Sequence, residues 1–177
     1  MIESHNPVKA AEFYAVAADI SMIEGKGFQG AEFAGKSARM QMKLKNLDAA
    51  SEMLTKQFNL MMETGDERQC GRIVVCQVIL QLARDDFVAA KKAYLDGQVY
   101  VEQQEQCTLS TLLDAWDSTD SKKIVSALNH PFIKSLDNEI AKLVRTIQLK
   151  HSSSTSNDLG IADGEEVAQE SEASALM

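Results

Sequence analysis

The chain has 177 residues, of which 45% are hydrophobic and only 6% aromatic, enough for one domain with a hydrophobic core. Only two prolines occur, while alanine, leucine, methionine, lysine, glutamate and glutamine are abundant, and this mixture favours helices. The net charge is −8, but residues 157–177 hold six of the 26 acids and no Lys or Arg; the rest has 20 acids against 18 bases. An acidic tail on a balanced body argues against nucleic-acid binding.

The first predicted element is a helix that ends before the stretch "EGKGFQG", residues 24–30. Asn6 can cap this helix and Pro7 suits its first position. Apolar residues then recur at helical spacing: Ala10, Phe13, Ala17 and Ile20. The glycines at 25, 27 and 30 match the spacing of a dinucleotide-binding fingerprint, but that motif requires a strand before its turn. Because a helix precedes them, they predict a turn between two helices and no nucleotide site.

The second predicted helix, about residues 28–45, has two apolar faces with a basic sector between them. One face carries Ala31, Ala34, Ala38 and Met42, and the other carries Phe33, Met40 and Leu44. The basic sector carries Lys36, Arg39 and Lys43. A helix that is apolar on two sides is typical of a layered helical stack.

Further helices follow at residues 46–65, 66–85 and 85–97, and shorter ones near 106–116 and 120–128. The helix at 66–85 is apolar almost all round, so we expect it to be the most buried. A last helix is predicted from Pro131 to Lys150, because one apolar stripe runs along it: Phe132, Leu136, Ile140, Leu143 and Ile147. Residues after Lys150 lack bulky periodic side chains, and we expect them to be disordered.

An internal repeat is visible in pairs of alanines that each follow a capping residue. The pairs lie at residues 10–11, 49–50 and 89–90, which gives a period of 39 to 40 residues. Small side chains let neighbouring helices approach closely, and paired helices at this period predict an all-α, tetratricopeptide-like solenoid of antiparallel helix pairs. Such a stack presents a groove and edges to partner proteins.

The sequence contains no pattern that predicts catalysis, a metal site or a cofactor. The histidines stand alone, and the cysteines lack CxxC spacing and are expected to be buried thiols: Cys70, Cys76 and Cys107. No signal peptide is visible, and no apolar run is long enough to span a bilayer. We therefore expect a non-enzymatic protein in the cytoplasm.

Three stretches together resemble the C-terminal half of a soluble NSF attachment protein, or SNAP. They are "GAEFAGKSARMQMKLKNLDAASEMLTKQFNLMMETGD" (30–66), "CQVILQLARDDFVAAKKAYLDG" (76–97) and "CTLSTLLDAWDSTDSKKIVSALNHPFIKSLDNEIAKL" (107–143). The segment "NHPFIKSLDNEIAKL" is closer to the gamma type than to alpha or beta. The resemblance covers roughly residues 5–149, and chains of the family are nearly twice as long as this one.

The resemblance implies an adaptor that binds the syntaxin-type SNARE complex and recruits the hexameric ATPase NSF, which dismantles that complex after membrane fusion. It implies no cofactor and only peripheral attachment to membranes. It also implies a division into helical repeats at 1–105, a small C-terminal helical bundle at 106–150 and a disordered acidic tail at 151–177. The alternative that the sequence leaves open is a helical-repeat scaffold unrelated to SNAREs.

Site residues follow from the resemblance as expectations. Basic residues of the family's groove meet the acidic SNARE surface, and the positions here are Lys36, Arg39, Lys43 and Arg72. Acidic residues at the end that faces NSF, with a leucine next to the last residue, correspond to Asp86, Asp114, Asp117 and Leu176. The opposing interpretation of the basic positions is a solvated face without a partner.

Overall fold

The computed structural model describes residues 6–156, with no strand in that span, which confirms the all-α class. A 3-10 turn, Gln98–Tyr100, lies between the fifth and sixth of nine α-helices in these residues. The helices are α1 Pro7–Ile23, α2 Gly27–Lys43, α3 Leu47–Thr64, α4 Glu67–Ala83, α5 Phe87–Gly97, α6 Gln103–Asp117, α7 Ser121–Leu128, α8 Pro131–Lys134 and α9 Asn138–Ser156. No helix in the described span combines the length and apolar character that crossing a bilayer requires.

The turns between the first five helices recur in a fixed register. One residue in each turn takes a left-handed conformation, and these residues are 20 apart: Gly25, Lys45, Gly65 and Asp85. After three of the turns a side chain caps the next helix by accepting a hydrogen bond from a backbone N–H three residues on: Asn46, Asp66 and Asp86. A helix with its turn is thus one 20-residue unit, and two units account for the spacing of the alanine pairs.

The alanine pairs lie where neighbouring helices approach each other. Ala11, Ala50 and Ala90, one from each pair, have no exposed surface. The buried Ser37 hydroxyl in α2 donates to the Ala11 carbonyl oxygen in α1 at 2.9 Å. Each helix from α1 to α5 packs on the next one along the chain.

Helix α4 is the centre of the core, which confirms the expectation that it is the most buried helix. It packs on α3, α5, the 3-10 turn and α9, and Val78, Ile79 and Leu80 are fully enclosed. The contact with the 3-10 turn is so close that a Cβ on Gly71 would lie 2.2 Å from the Tyr100 carbonyl oxygen. Glycine is therefore required at this position.

The C-terminal helices leave the 20-residue register and fold back on the earlier ones. Helix α7 packs between α6 and α9, while α9 also packs on α4 and touches α2. Buried Ile140, Val144 and Ile147 of α9 join the core. This return of α9 brings residues after 134 next to α2 and α4.

The structure corrects the last predicted helix in two places. The helix that begins at Pro131 ends at Lys134, and a new one begins at Asn138, where the Asp137 carboxylate accepts a hydrogen bond from the Glu139 N–H at 3.0 Å. The second helix continues to Ser156, so the disorder that we expected from residue 151 does not hold for residues 151–156. Leu176 and the rest of the tail from residue 157 lie outside the described residues.

Candidate interaction groove

A cavity of about 380 Å³ opens between α2, α3, α4 and the link from α8 to α9. We call it the arginine cavity, because Arg39 from α2 and Arg72 from α4 both line it. Other lining residues from the three helices are Gly35, Met42, Leu54, Gln57, Gln69, Ile73 and Cys76, and the C-terminal region adds Ser135, Leu136, Asp137 and Ile140. The cavity thus has an apolar floor, two amide side chains and two guanidinium groups.

Among residues 6–156, both arginines make only long polar contacts. Arg39 Nη1 lies 3.5 Å from Asp137 Oδ2, and Arg72 Nη2 donates to the Ser135 carbonyl oxygen at 3.5 Å. A guanidinium group carries several N–H donors in a planar fork that matches a carboxylate or a phosphate. These contacts leave donor capacity on both arginines, so an anionic group that enters the cavity can bind between them.

Asp137 is the internal competitor for such an anion. One of its oxygens caps α9 through the Glu139 N–H, and the other faces Arg39. The side chains of this Arg39–Asp137 pair are 38% and 35% exposed, and pairs of that kind contribute only about 0 to 1 kcal/mol. An entering carboxylate therefore has to displace only one weak contact, between Arg39 and Asp137, and can then interact with two arginines.

Gly35 and Cys76 define the walls of the arginine cavity. A Cβ on Gly35 would lie 2.6 Å from the Gln57 amide nitrogen, so the glycine keeps room for that side chain. Burial, with a smaller effect of Asp137, raises the pKa of the Cys76 thiol to about 12. The thiol is therefore neutral at physiological pH and does not serve as a nucleophile.

Arg72 also lines a second cavity, of about 140 Å³, together with Arg68, Glu102 and Glu105. Burial, and then the neighbouring Glu102, raises the pKa of Glu105, while the two arginines act in the opposite direction. Arg72 thus stands between an acidic wall on one side and the arginine cavity on the other.

The structure separates the four predicted SNARE-binding residues. Arg39 and Arg72 share the arginine cavity, whereas Lys36 faces α1, with its Nζ 5.8 Å from the centre of the Tyr14 ring and 5.5 Å from that of Phe33. Lys43 is exposed in the last turn of α2. Lys36 and Lys43 do not line the cavity, so the predicted stripe is one cavity with two outlying lysines.

The predicted NSF-binding aspartates differ in what they do within the fold. The Asp86 carboxylate accepts a hydrogen bond from the Ala89 N–H at 2.9 Å and so caps α5. Asp114 and Asp117 are exposed in the last turn of α6. Negative charges at the C-terminal end of a helix oppose its dipole, so the helix gains no stability from these two carboxylates.

The turn before α5 and the end of α6 lie at the same end of the molecule. Asp85 and Trp116 line one largely apolar cavity of about 250 Å³, and Lys45 and Lys150 line it with them. Lys150 Nζ lies 2.6 Å from Asp85 Oδ2. The predicted acidic end therefore also carries basic residues.

Three residues that line the arginine cavity were not predicted from the sequence: Ser135 and Asp137, which form one wall, and Gln57. The signal for the first two was present in "SLDN", residues 135–138, since an aspartate before a helical pattern is a capping residue. Gln57 carried no such signal, because an amide on a half-buried helix face has no diagnostic spacing.

The sequence is similar to that of a known protein. The chain is 22% identical over 140 residues to the gamma-soluble NSF attachment protein of Dictyostelium discoideum, a match that covers 77% of this chain and 43% of that protein. The chain thus matches less than half the length of this relative. No protein-family model matches the sequence. At this identity the chain is distantly similar to a soluble NSF attachment protein.

Proposed function

We propose that the protein is a non-enzymatic, SNAP-type adaptor that binds the SNARE complex and recruits NSF. The observation that carries this proposal is the convergence of Arg39 and Arg72 in one cavity with unused donor capacity. The distant similarity to a gamma-soluble NSF attachment protein supports it. We further infer that α1 to α5 form a tetratricopeptide-like solenoid and α6 to α9 its C-terminal bundle.

In this proposal an acidic side chain of a syntaxin-type helical bundle enters the arginine cavity. Its carboxylate takes the place of Asp137 beside Arg39 and gains Arg72 as a second partner. Lys36 and Lys43 lie outside the cavity and attract the same acidic surface at longer range. Such exposed charges affect the rate of association more than the final affinity, and added salt weakens them.

The ATPase would dock at the other predicted surface, the end of α6. Asp114 and Asp117 are exposed there and contribute nothing favourable to the helix dipole, which supports a role in binding basic domains of NSF. Asp86 belongs to the same proposed surface, and there its carboxylate would bind NSF while it also caps α5. Leu176 completes the proposed NSF contact. The adaptor would work in the cytoplasm, attached peripherally to membranes through its partners.

The test is a binding assay with purified soluble SNARE complex and NSF. Arg39→Glu with Arg72→Glu should reduce SNARE binding by roughly tenfold or more, since each charged contact contributes up to about 1 kcal/mol and reversal adds repulsion. Lys91→Glu with Lys92→Glu is the matched control, because both lysines are exposed on α5 and do not line the cavity. If the two double variants bind equally well, or if the parent chain binds no SNARE complex, the proposal is wrong.

A further inference from the structure

An open recess of about 400 Å³ lies on the outer face of α5. We call it the α5 recess, and its lining residues are Phe87, Val88, Lys91, Lys92, Leu95 and Asp96. Val88 is 78% exposed and Leu95 54%, so two large aliphatic side chains of the recess face solvent in the described part of the chain. Steps of three or four residues join Val88, the two lysines and Leu95 into one stripe along the helix. Exposed apolar side chains beside charged ones are typical of interaction surfaces.

The α5 recess does not lie at the end of the helical array where a preceding repeat would stack. Helix α5 packs on α4 and on α6, whereas a repeat that preceded the described helices would pack on α1, because each repeat contacts its neighbours. The exposure of the recess is therefore set by helices that the structure describes on both sides of α5.

The centre of the α5 recess is basic. Lys91 and Lys92 are exposed and make no hydrogen bond or ion pair within the described part of the chain. The two aspartates before α5 are already engaged, since Asp85 forms an ion pair within the fold and Asp86 caps the helix. Asp96 lines the recess at its other end, four residues beyond Lys92. The lysine pair thus has an apolar residue on each side and free capacity for carboxylates.

The sequence that follows α9 has the complementary pattern. Residues 158–167 read "DLGIADGEEV", with four acids and no base. Asp158 and Asp163 border an aliphatic pair, Leu159 and Ile161. The carboxylates of this segment suit the two lysines of the α5 recess, and its aliphatic side chains suit the apolar residues on either side of them.

The course of α9 places this segment within reach of α5. Lys150 of α9 lies 2.6 Å from Asp85 Oδ2, and Lys91 and Lys92 follow Asp85 by about 10 Å along α5. Helix α9 ends at Ser156, about 9 Å beyond Lys150 along its axis. The eleven residues 157–167 span up to about 36 Å when extended, so the chain is long enough to return to the recess. Such a tether holds the segment at an effective concentration on the order of millimolar.

We propose that the α5 recess binds residues 158–167 of its own chain. Their carboxylates pair with Lys91 and Lys92, and their aliphatic side chains cover Val88 and Leu95. The segment then shields an apolar surface of α5, and a partner that uses this surface has to displace it. No residue of the α5 recess lines the arginine cavity, so this inference stands or falls separately from the proposed function.

Cleavage of the full chain by a glutamate-specific protease tests the apolar part of the contact. The bound segment contains two adjacent glutamates, and the protease cuts there only when the segment is released. Val88→Ser with Leu95→Ser should therefore speed cleavage at these sites roughly threefold or more. Val16→Ser with Ile20→Ser is the matched control, because it makes the same kind of change at exposed residues of α1. Equal cleavage rates in the parent and the first variant, or equal acceleration by both variants, overturn the proposal.

Zero-length cross-linking with a carbodiimide tests the charged part of the contact. The reagent joins a lysine amine to a carboxylate that touches it, and mass spectrometry of the monomeric fraction identifies the pairs. Links from Lys91 or Lys92 to the segment should be several times more frequent than links from two control lysines. The controls are Lys122 and Lys123, which are exposed on α7. Equal frequencies, or links that form only between two chains, overturn the proposal.

Discussion

The arginine cavity and the outer face of α1 are both accessible in the described residues, but they are chemically opposite. The cavity holds two cations against one weakly bound carboxylate. The outer face of α1 instead exposes apolar side chains: Phe13, Val16, Ile20 and Ile23. Salt screens interactions of the first kind and has little effect on burial of the second. One helical array therefore offers a salt-sensitive surface and a salt-tolerant one.

Loss of the tight contact at Gly71 should damage the arginine cavity and leave the outer face of α1 unchanged. Gly71→Ala places a methyl group 2.2 Å from the Tyr100 carbonyl oxygen, so α4 or the 3-10 turn must move. We expect a loss of about 1 to 3 kcal/mol in the free energy of unfolding, the usual range for overpacking. Chemical denaturation measures it, and Gly27→Ala, whose added atom would lie no closer than 3.7 Å to any neighbour, is the control. Equal stability of the two variants would show that α4 yields at this contact without cost.

Added salt should weaken binding at the arginine cavity. Raising the ionic strength shortens the range of electrostatic interactions, so SNARE binding through Arg39 and Arg72 should weaken about tenfold between low and high salt. Calorimetric titration at a series of salt concentrations measures this change. An affinity that does not depend on salt would contradict a charged contact in the cavity.

Charge reversal at the end of α6 should separate recruitment from stability. Lysine suits the last turn of a helix, so Asp114→Lys with Asp117→Lys should raise stability by about 0.3 to 1 kcal/mol for each site. The same variant should no longer recruit NSF, and it should keep SNARE binding. Thermal unfolding and a pull-down with NSF measure the two effects. Retained recruitment would remove these aspartates from the proposed contact.

Asp137→Asn should raise the affinity of the arginine cavity for an acidic partner. The asparagine oxygen can still cap α9, but it no longer competes as an anion for Arg39. Affinity for the SNARE complex should therefore rise by a few tenths to about 1 kcal/mol. Asp48→Asn is the matched control, because Asp48 pairs with Arg84 away from the cavity. An affinity that falls in Asp137→Asn alone would mean that Asp137 organises the site instead of competing for it.

The smallest expected effect is a dependence on pH near the end of α9. Burial, and then Lys150, lowers the pKa of His151, whose ring lies 4.9 Å from that of Trp116. Because the folded-state pKa is depressed, this histidine contributes stability at neutral pH that is lost as pH falls below its ordinary value of 6.5. Melting curves between pH 7.5 and about 5.5 should show a smaller decrease for His151→Gln than for the parent. Identical pH profiles would contradict this assignment.

The helices of the repeat region could be predicted because their signals are local. Caps, apolar periodicity and the alanine pairs all act within one helix or between adjacent ones. The break at residues 135–137 was missed because Leu136 and Ile140 continue the spacing that Phe132 starts, so the apolar stripe runs unbroken across a non-helical link. Local capping by Asp137 prevailed there over periodicity.

The candidate site was predictable only in part, because residues distant in sequence form it. Arg39 and Arg72 are 33 positions apart, and only the packing of α2, α3 and α4 brings them together. Lys36 is three residues from Arg39 but faces the Tyr14 ring of α1. The pattern of charges along one helix therefore identified the basic sector. Which of its residues line the cavity and which lie outside it depended on the neighbouring helices.

Because the turns recur every 20 residues, the length of this region can be expressed as a number of units of one helix and its turn. Removal of one unit would reverse the direction of every later helix, whereas removal of two, residues 27–66, would join Lys26 to Glu67 and keep each remaining helix pointing as before. Chain length in this region can therefore change without loss of orientation only in steps of two units. Evolution by duplication or loss of whole helix pairs would preserve this two-unit spacing in the sequence, whereas duplication or loss of single helices would not.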